Sequence, residues 1–316
     1  MIRVEKVDCA DFNAIRDILS DIWDTGGEEK GRKIFDYQWE RDETHCGLIL
    51  RDGDRTVGFL GMIFSRRRIN DKVEKICNLT SWFVHPDYRS RAISMILPLK
   101  GMQDYTITDL TPAKNVYQIQ NKLGFKDLDA AGRLLLPFGR RLFQRKYFPT
   151  HPTHDSAAIE KQLTGQDLKI FKDHQKYPCF HFLLAAPDRY CYMVYTKLKR
   201  KRIPYVHLHY ISDPDLFALA YRDIRNAILT RAGAYFLLVD SRLVKNMKLP
   251  LSFSLPYRAP KQYQSPTLAP EQIDNLYSEL VMLNLRTHPR MKYLLRNVRR
   301  KIFEFKYLNF ARKSHR

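Results

Sequence analysis

The fold is decided by residues 76–94, which have the sequence ICNLTSWFVHPDYRSRAIS. The first half of this stretch predicts a β-strand, because Trp82 and Val84 alternate with Phe83 as the two faces of a strand require. Apolar residues at helical spacing begin at Ile93. The stretch therefore predicts a strand that turns sharply into a helix.

The turn between this strand and this helix is a candidate phosphate site. The first backbone N–H groups of a helix lack partners inside the helix, and the helix dipole places partial positive charge there. Such a turn binds a phosphate or pyrophosphate group. Arg89 and Arg91 add two mobile positive charges beside it. We therefore expect a phosphate-bearing cofactor at this turn.

Length and composition indicate a globular protein with room for two domains. The chain has 316 residues, of which 44% are hydrophobic and 12% aromatic. The first residues show no apolar signal segment, and no apolar run approaches the length that crosses a bilayer. Five scattered cysteines without C-x-x-C spacing favour reduced thiols over disulfides or a metal site. A cytoplasmic protein without a bound metal is the expectation.

The formal net charge of +20 calls for an explanation. About half of it lies in residues 286–316, where eleven Lys or Arg accompany one acid, Glu304, and apolar residues are interleaved. Two interpretations of this tail stay open: a basic amphipathic helix on the inner face of an anionic membrane, or a helix packed on the body. Nucleic acid is a weaker third interpretation, since no DNA- or RNA-binding motif accompanies the charge.

The first half of the chain predicts one α/β unit. Asp52-Gly53 between apolar runs indicates a hairpin. Thr111-Pro112 suits the start of a helix and Gly124 suits its end. The predicted strands cover residues 2–7, 48–50, 56–64, 73–84 and 105–110, and the predicted helices cover residues 11–23, a segment through Phe35 and Trp39, a segment from residue 93, and residues 111–123.

The turn after the key strand resembles motif A of the GNAT superfamily, the acyl-CoA-dependent N-acyltransferases. The family signature is a strand, then V-x-P-x-[YF], then [QR]-x-x-G-x-[GA] at the start of a helix. Arg89 stands at its first position, Ala92 at the central glycine and Ser94 at the final small residue. The Leu-Gly-Phe that ends at Phe125 is a second hallmark. The predicted order of elements matches the family through most of residues 1–140.

The resemblance implies acyl-CoA, with an acetyl or longer chain, as co-substrate. In the family, a bulge in the strand directs a backbone N–H to the acyl carbonyl, the loop holds the pyrophosphate, and an amide near the start of the next helix reaches the donor. The residues at these positions are Trp82, Phe83, Val84, Arg89, Ser90, Arg91, Ala92, Ile93, Ser94 and Asn115.

The implied reaction is direct attack of an amine on the thioester carbonyl, so one proton must leave the amine and another must reach the thiolate. The family often uses a tyrosine as the acid, five residues before Phe125, where this chain has Gln120. Tyr117, about one helical turn earlier, is the candidate substitute. His85, a histidine at the end of the key strand, and Asp109, at the end of the neighbouring strand, are the candidate bases. A water relay is the alternative to a single base.

The second half repeats the coarse order of the first but lacks the phosphate turn. Asp213-Pro214-Asp215 stands there, and its carboxylates would repel a pyrophosphate. We therefore predict an α/β (α+β) protein with two GNAT-like units, each a mixed, mostly antiparallel central sheet flanked by helices. The predicted divisions are a donor-binding domain at 1–140, a connection at 141–160, a degenerate GNAT-like domain at 161–285 and the basic tail at 286–316.

The function implied by the resemblance is transfer of an acyl group from acyl-CoA to an amine acceptor, such as an amino sugar or a small metabolite. An acidic acyl-carrier protein is a further possible partner, because residues 66–68 and 197–202 are clustered basic segments. Two alternatives stay open. One is a catalytically inactive GNAT-like binding module, and the other is a Fem-type aminoacyl-tRNA-dependent transferase.

These hypotheses predict different structures. An enzyme predicts an open split between the strand that ends at Val84 and the strand that begins at Tyr105. An inactive module predicts that side chains such as Trp82 or Met102 fill that split. A Fem-type enzyme predicts a continuous basic track from residues 66–68 to the tail.

Overall fold

The computed structural model describes residues 1–137, 151–287, 289–290 and 292–293. The strands are β1 Ile2–Asp8, β2 His45–Asp52, β3 Arg55–Ile69, β4 Lys72–Val84, β5 Tyr105–Asp109, β6 Lys126–Leu135, β7 His151–Thr153, β8 Phe180–Ala185, β9 Tyr190–Arg200, β10 Ile203–Ile211, β11 Leu237–Asp240 and β12 Ser252–Gln264. The α-helices are α1 Leu19–Ile22, α2 Gly27–Phe35, α3 Ala92–Ile96, α4 Lys114–Lys122, α5 Ser156–Gln162, α6 Gly165–His174, α7 Pro214–Leu219, α8 Tyr221–Ala232 and α9 Glu279–Met282. Within these residues, no helix is both long enough and apolar enough to cross a bilayer.

All the strands belong to one twelve-stranded sheet with the order β1-β2-β3-β4-β5-β12-β6-β11-β10-β9-β8-β7. Strand β4 pairs with β5 in parallel, and β10 pairs with β11 in parallel. The remaining described neighbours are antiparallel. Each half of the chain therefore contributes one parallel pair among antiparallel neighbours. This confirms the predicted mixed, mostly antiparallel α+β fold.

Strand β12 joins the two halves and was missed in the sequence analysis. It pairs with β5 on one side and with β6 on the other, and its register with β6 shifts between Pro256 and Lys261. Proline lacks an N–H and is tolerated inside a sheet mainly at such irregularities. The two prolines of this strand, Pro256 and Pro260, are atypical of a central strand, and the pattern was therefore not recognised.

Residues 273–287, the core segment, lie against both halves of the sheet. The N–H of Asn275 donates to the carbonyl of His209 on β10 at 3.3 Å. The N–H of Glu279 donates to the side-chain oxygen of Asn78 on β4 at 3.1 Å. The apolar side chains of this segment share one buried cluster with β3 of the first half and β9 of the second. The core segment thus ties the two halves together.

Several predicted helices are shorter or more tightly wound than the sequence indicated. Most of the predicted helix 11–23 is the 3₁₀ segment Phe12–Ile18, and only α1 is α-helical. Helix α2 ends at Phe35, so Trp39 lies outside it. In the second half, residues 214–232 form two helices, α7 and α8, which are divided at Ala220. Apolar spacings of three and of 3.6 residues look alike over one or two turns, which explains why the 3₁₀ segment Phe12–Ile18 was predicted as an α-helix.

Some predictions lie wholly or partly outside the described residues. Of the predicted connection 141–160, only residues 151–160 are described, and they contain β7 and the first part of α5. The basic tail is described only to residue 287 and at four later positions. The division of the chain into these domains stays a prediction.

Candidate functional site

The parallel strands β4 and β5 separate at their carboxyl ends. They pair from Lys75 with Tyr105 to Leu79 with Asp109, and β4 then continues to Val84 without β5, paired only with β3. A cavity of about 270 Å³ lies where they separate. Its lining residues are Trp23, Leu60, Leu79, Thr80, Ser81, Trp82, Asp109, Thr111, Pro112, Ala113, Val116 and Leu285. The split is therefore open, and Trp82 lines it without filling it.

A β-bulge in β4 forms one wall of this cavity. Thr80 pairs with Gly61 and Phe83 pairs with Phe59, so Ser81 and Trp82 together face Leu60 alone. Ser81 has a φ of 55°, a left-handed conformation that is uncommon for serine. A bulge removes a backbone N–H from the strand ladder and re-aims the chain. The structure thus places a bulge within one residue of the predicted segment 82–84, on the cavity wall.

The loop after β4 differs from the predicted sharp turn. The 3₁₀ segment Pro86–Arg91 comes first, and α3 then covers only Ala92–Ile96. Ala92 has a φ of −55° and a ψ of −39°, ordinary helical values, so an alanine at the position of the family's glycine costs no backbone strain. Tyr88 donates a hydrogen bond of 2.8 Å to the carboxylate of Asp52 and ties the loop to the β2–β3 turn.

The cations of this loop are available to a ligand. Arg89, Ser90 and Arg91 are exposed, and within the described part of the chain neither arginine forms a salt bridge. The hydroxyl of Ser94 donates to the carbonyl of Arg91 at 2.6 Å and holds the first turn of α3. Ile93 is exposed on that turn. The two exposed arginine side chains are therefore free to bind an anionic group.

Asp109 is the one predicted catalytic residue that lines the cavity. One of its carboxylate oxygens accepts from the Gln120 amide at 2.7 Å, and the other accepts from the Thr111 N–H at 3.2 Å. Burial raises the pKa of this carboxyl to about 6, against the smaller opposing effect of those two hydrogen bonds. A carboxylate with such a pKa is suited to accept a proton near neutral pH.

The other two predicted catalytic residues and Asn115 lie outside the lining of this cavity. His85 caps the loop, where its Nδ1 accepts from the Asp87 N–H at 3.4 Å, and Tyr117 is half-buried on α4. Neither is among the described residues that line the cavity. Asn115 is exposed in the first turn of α4. Gln120 is buried and positions Asp109, so it acts as a hydrogen-bond donor and not as an acid.

Sequence reasoning missed a second carboxyl group at this site. Thr111 was predicted to cap α4, but that helix begins at Lys114 after Ala113. The Thr111 hydroxyl instead donates to Oε1 of Glu279 at 3.1 Å. Glu279 is fully buried in the core segment, and its pKa is raised to about 8 by burial and then by the charge of Asp109. A lone acid within the apolar run of residues 276–283 was the available indication.

The corresponding split of the second half is closed by polar side chains. Strands β10 and β11 pair from Val206 to Leu208 with Leu237 to Val239. Beyond that pairing, the carboxylate of Asp240 accepts from Arg242 at 2.7 Å and from Lys261 at 2.6 Å. Asn275 and Tyr257 also donate to it. This buried network stands where the first half has a cavity.

The basic segment 66–68 is largely neutralised. Arg67 is buried and makes two hydrogen bonds of 2.7 Å to the carboxylate of Asp274. Arg66 pairs with Asp42 at 3.2 Å. Arg68 alone of the three is exposed. This segment therefore offers little free charge to an anionic partner.

Comparisons with known proteins agree with this geometry. Residues 12–97 match the Acetyltransferase (GNAT) family, and this range includes the bulge, the loop and α3. No curated protein matches the chain significantly.

Solved structures show the same fold over most of the chain. A GCN5-related N-acetyltransferase from Anabaena variabilis ATCC 29413 is 12% identical and has a TM-score of 0.53, over 83% of this chain and 72% of that one. A probable N-acyltransferase from Enterococcus faecalis V583 is 11% identical, with a TM-score of 0.54 over 84% and 73%. A GCN5-related N-acetyltransferase from Kribbella flavida is 12% identical, with a TM-score of 0.51 over 83% and 70%. Residues 12–97 are thus similar to the GNAT acetyltransferase family, and most of the chain shares the fold of these solved structures.

Proposed function

We propose that this protein transfers an acyl group from acyl-CoA to the amine of a small acceptor, in the cavity between β4 and β5. The observation that carries the proposal is that one cavity combines a strand bulge with a buried carboxylate whose pKa is raised to about 6. A bulge offers a backbone donor to a developing oxyanion, and a carboxylate of this kind accepts the proton of an amine.

The donor would enter along the loop that follows β4. The exposed side chains of Arg89 and Arg91 would neutralise its phosphates. The thioester would then lie beside the bulge at Ser81 and Trp82. A cavity of about 270 Å³ suits an acyl chain of a few carbons. The proposal therefore favours acetyl-CoA or a short homologue as the donor.

The acceptor would reach the same cavity from the side of the core segment. Leu285 of the core segment contributes to the lining there, and Asp109 supplies the negative charge. A carboxylate in a partly enclosed cavity attracts an ammonium group. The core segment, which belongs to the second half of the chain, would thus shape the acceptor side.

The open split supports an enzyme over an inactive binding module. A module that had lost its reaction would have no need for a strained bulge or for a buried acid without a cation partner. The Fem-type alternative receives less support, because two of the three arginines in residues 66–68 pair with aspartates. An acyl-carrier protein as donor stays an alternative for the unused basic hairpin tip at residues 197–202.

The donor site is tested by calorimetric titration with acetyl-CoA and with a longer acyl-CoA. We expect micromolar binding that weakens about tenfold or more in the double variant Arg89→Glu and Arg91→Glu. The charge-matched control is Lys199→Glu with Arg202→Glu at the exposed β9–β10 tip, which should bind as the unaltered chain does. Absence of acyl-CoA binding by the unaltered chain would contradict the proposal.

The transfer reaction is tested by release of free thiol from acetyl-CoA in the presence of a panel of primary amines. The panel should include amino sugars, amino acids and polyamines, because the acceptor class is open. We expect at least one amine to accelerate thiol release well above the rate with acetyl-CoA alone. Binding of acetyl-CoA without acceleration by any amine would favour a binding module.

A further inference from the structure

Thr111 bridges two buried carboxyl groups that come from the two halves of the chain. Its backbone N–H donates to Asp109 at 3.2 Å, and its hydroxyl donates to Glu279 at 3.1 Å. Thr111 and Asp109 both line the cavity between β4 and β5, whereas Glu279 lies one hydrogen bond behind it. A single residue thus connects the cavity to an acid in the core segment.

Glu279 is in an unusual situation for a glutamate. Its side chain is 0% exposed, and within the described residues its Oε2 has no hydrogen-bond partner. Burial strongly destabilises an ionised carboxylate unless a cation or several hydrogen-bond donors compensate for the lost water. A protonated carboxyl avoids this cost.

The groups that face Glu279 favour its protonated form on balance. Asp109, at the end of β5, raises its pKa, while Lys261 on β12 and the hydroxyl of Thr111 lower it. The nearby Lys261 is already engaged by the carboxylate of Asp240 at 2.6 Å. Asn78 on β4 accepts from the backbone N–H of Glu279 and not from its side chain.

We propose that Glu279 stores a proton and delivers it through the Thr111 hydroxyl to the thiolate that leaves during acyl transfer. This inference rests on the proposed function. Glu279 then supplies the acid that the family takes from a tyrosine and that this chain lacks at Gln120. Glu279 acts through Thr111 and does not itself contact the substrate, so we class it as a positioning residue that holds a proton. Thr111 is the residue that lines the cavity.

The hydrogen-bond geometry permits this delivery. The Thr111 hydroxyl can accept as well as donate, because its hydrogen rotates. When Oε1 of Glu279 is protonated, it can therefore donate to the Thr111 hydroxyl across the same 3.1 Å contact. The hydroxyl of Thr111 is then free to donate into the cavity. A carboxyl that donates to a hydroxyl makes that hydroxyl a better donor in turn.

The proton balance of the step closes. The amine nitrogen forms a bond to the acyl carbon, and the carbon–sulfur bond breaks with its electron pair on sulfur. Asp109 takes one proton from the amine. The thiolate takes the hydroxyl proton of Thr111, which receives the proton of Glu279. The proton on Asp109 then returns to Glu279 through Thr111 or water, and both carboxyl groups regain their starting states.

The inference is tested by the pH dependence of thiol release from acetyl-CoA with an accelerating amine. We expect kcat/KM to rise through about pH 6 as Asp109 ionises and to fall through about pH 8 as Glu279 loses its proton. Glu279→Gln keeps the shape of the side chain and removes the acid, so kcat should fall about a hundredfold and the alkaline limb should disappear. Glu271→Gln, an exposed acid in the same part of the chain, is the control and should change neither.

Two further measurements keep the inference independent of folding defects. Thr111→Val should lower kcat to about the same extent as Glu279→Gln, whereas Thr111→Ser, which keeps the hydroxyl, should restore most of it. An infrared difference spectrum between the unaltered chain and Glu279→Gln should show a protonated carboxyl band at pH 7 that is lost above about pH 9.

The outcomes separate this inference from the proposed function. If the unaltered chain releases no thiol with any amine, the proposed function fails. If Glu279→Gln releases thiol at an undiminished rate with its alkaline limb intact, or the carboxyl band is absent at pH 7, only the delivery of a proton by Glu279 is overturned. Acetyl-CoA binding should be equal in Glu279→Gln and Glu271→Gln, because neither residue is among the described residues that line the cavity or form the loop after β4.

Discussion

Asp109 and Asp240 occupy the same place in the two halves of the sheet, because each is the last residue of the strand that pairs in parallel with its neighbour. Their surroundings are opposite. Asp240 accepts hydrogen bonds from Lys261 and Arg242, whereas Asp109 accepts from an amide and a backbone N–H.

The two environments move the two pKa values in opposite directions. Burial raises the pKa of Asp109 to about 6. Burial alone would raise that of Asp240 too, but the charges of Lys261 and Arg242 hold it well below its ordinary value. One position therefore carries a carboxylate that can exchange protons near neutral pH, and the other carries a fixed negative charge that holds the fold together.

Replacement of Asp109 by asparagine should separate activity from stability. Asparagine cannot accept the amine proton, so kcat/KM for thiol release should fall by about two to four orders of magnitude. The hydrogen bond from the Thr111 N–H to the side-chain oxygen can persist. The Gln120 amide can flip, so that its oxygen, which has no partner among the described residues, accepts a hydrogen bond from the amide of the new asparagine. Acetyl-CoA binding by calorimetry should be unchanged, and a proportional loss of binding would contradict a role in proton transfer.

The same variant should be more stable than the unaltered chain at neutral pH. The pKa of Asp109 is raised in the folded state from 3.8 to about 6. Folding therefore favours the protonated form of Asp109. The resulting stabilisation of the folded state is complete below about pH 4 and is lost as the pH rises through about 6. At pH 7 ionisation costs at most about 3 kcal/mol, which Asp109→Asn removes. Urea denaturation at pH 4 and pH 7 should show a gain for the variant only at the higher pH.

Replacement of Lys261 by methionine should destabilise the fold. The change leaves the buried carboxylate of Asp240 with one cation instead of two. Removal of one partner from a buried ion pair typically costs about 3–5 kcal/mol. Urea denaturation measures this loss. Lys245→Met, which removes an exposed pair with Glu271, is the control and should cost less than about 1 kcal/mol.

The bulge at Ser81 allows a test of backbone geometry. Ser81→Gly should keep the fold stable or stabilise it by about 1 kcal/mol, because glycine adopts a positive φ without strain. Ser81→Val should destabilise it, since a β-branched residue tolerates this conformation poorly. Thermal unfolding measures both changes. If valine also lowers kcat while glycine retains it, the bulge itself serves the reaction, whereas equal activity in both variants would separate the bulge from catalysis.

The sequence carried enough information for the architecture of the first half. Alternating apolar residues marked β4, and the signature after it located the loop and the neighbouring strand that ends at Asp109. These are local patterns, which depend on residues close together in the chain. The helix that follows the loop begins within one residue of the predicted start and passes into a 3₁₀ segment after Ile96, which has the same apolar spacing over one turn.

The rest of the site depends on contacts that are distant in the chain. Glu279 meets Thr111 across 168 positions, and neither residue has neighbours that mark such a contact. Strand β12 lies between β5 and β6, and its two prolines stand where its register is irregular. Because prolines are atypical of a central strand, the local sequence does not predict the strand that forms. His85 and Tyr117 were selected for their chemistry and their nearness to the motif, but only the fold decides which side chains face the cavity.

The acyl preference should depend on Trp23, which follows α1 and lines the cavity. Trp23→Ala enlarges the space available to the acyl chain. The ratio of kcat/KM for hexanoyl-CoA to kcat/KM for acetyl-CoA should therefore rise about tenfold or more, since even one methylene group in an apolar pocket changes kcat/KM by about this factor. Tyr235→Ala, which removes an exposed aromatic ring from the second half, is the control and should leave the ratio unchanged. Circular dichroism at the assay temperature would confirm that both variants are folded. An unchanged ratio in folded Trp23→Ala would show that the acyl chain does not extend toward this side of the cavity, and the donor would then have to lie closer to Val116 on α4.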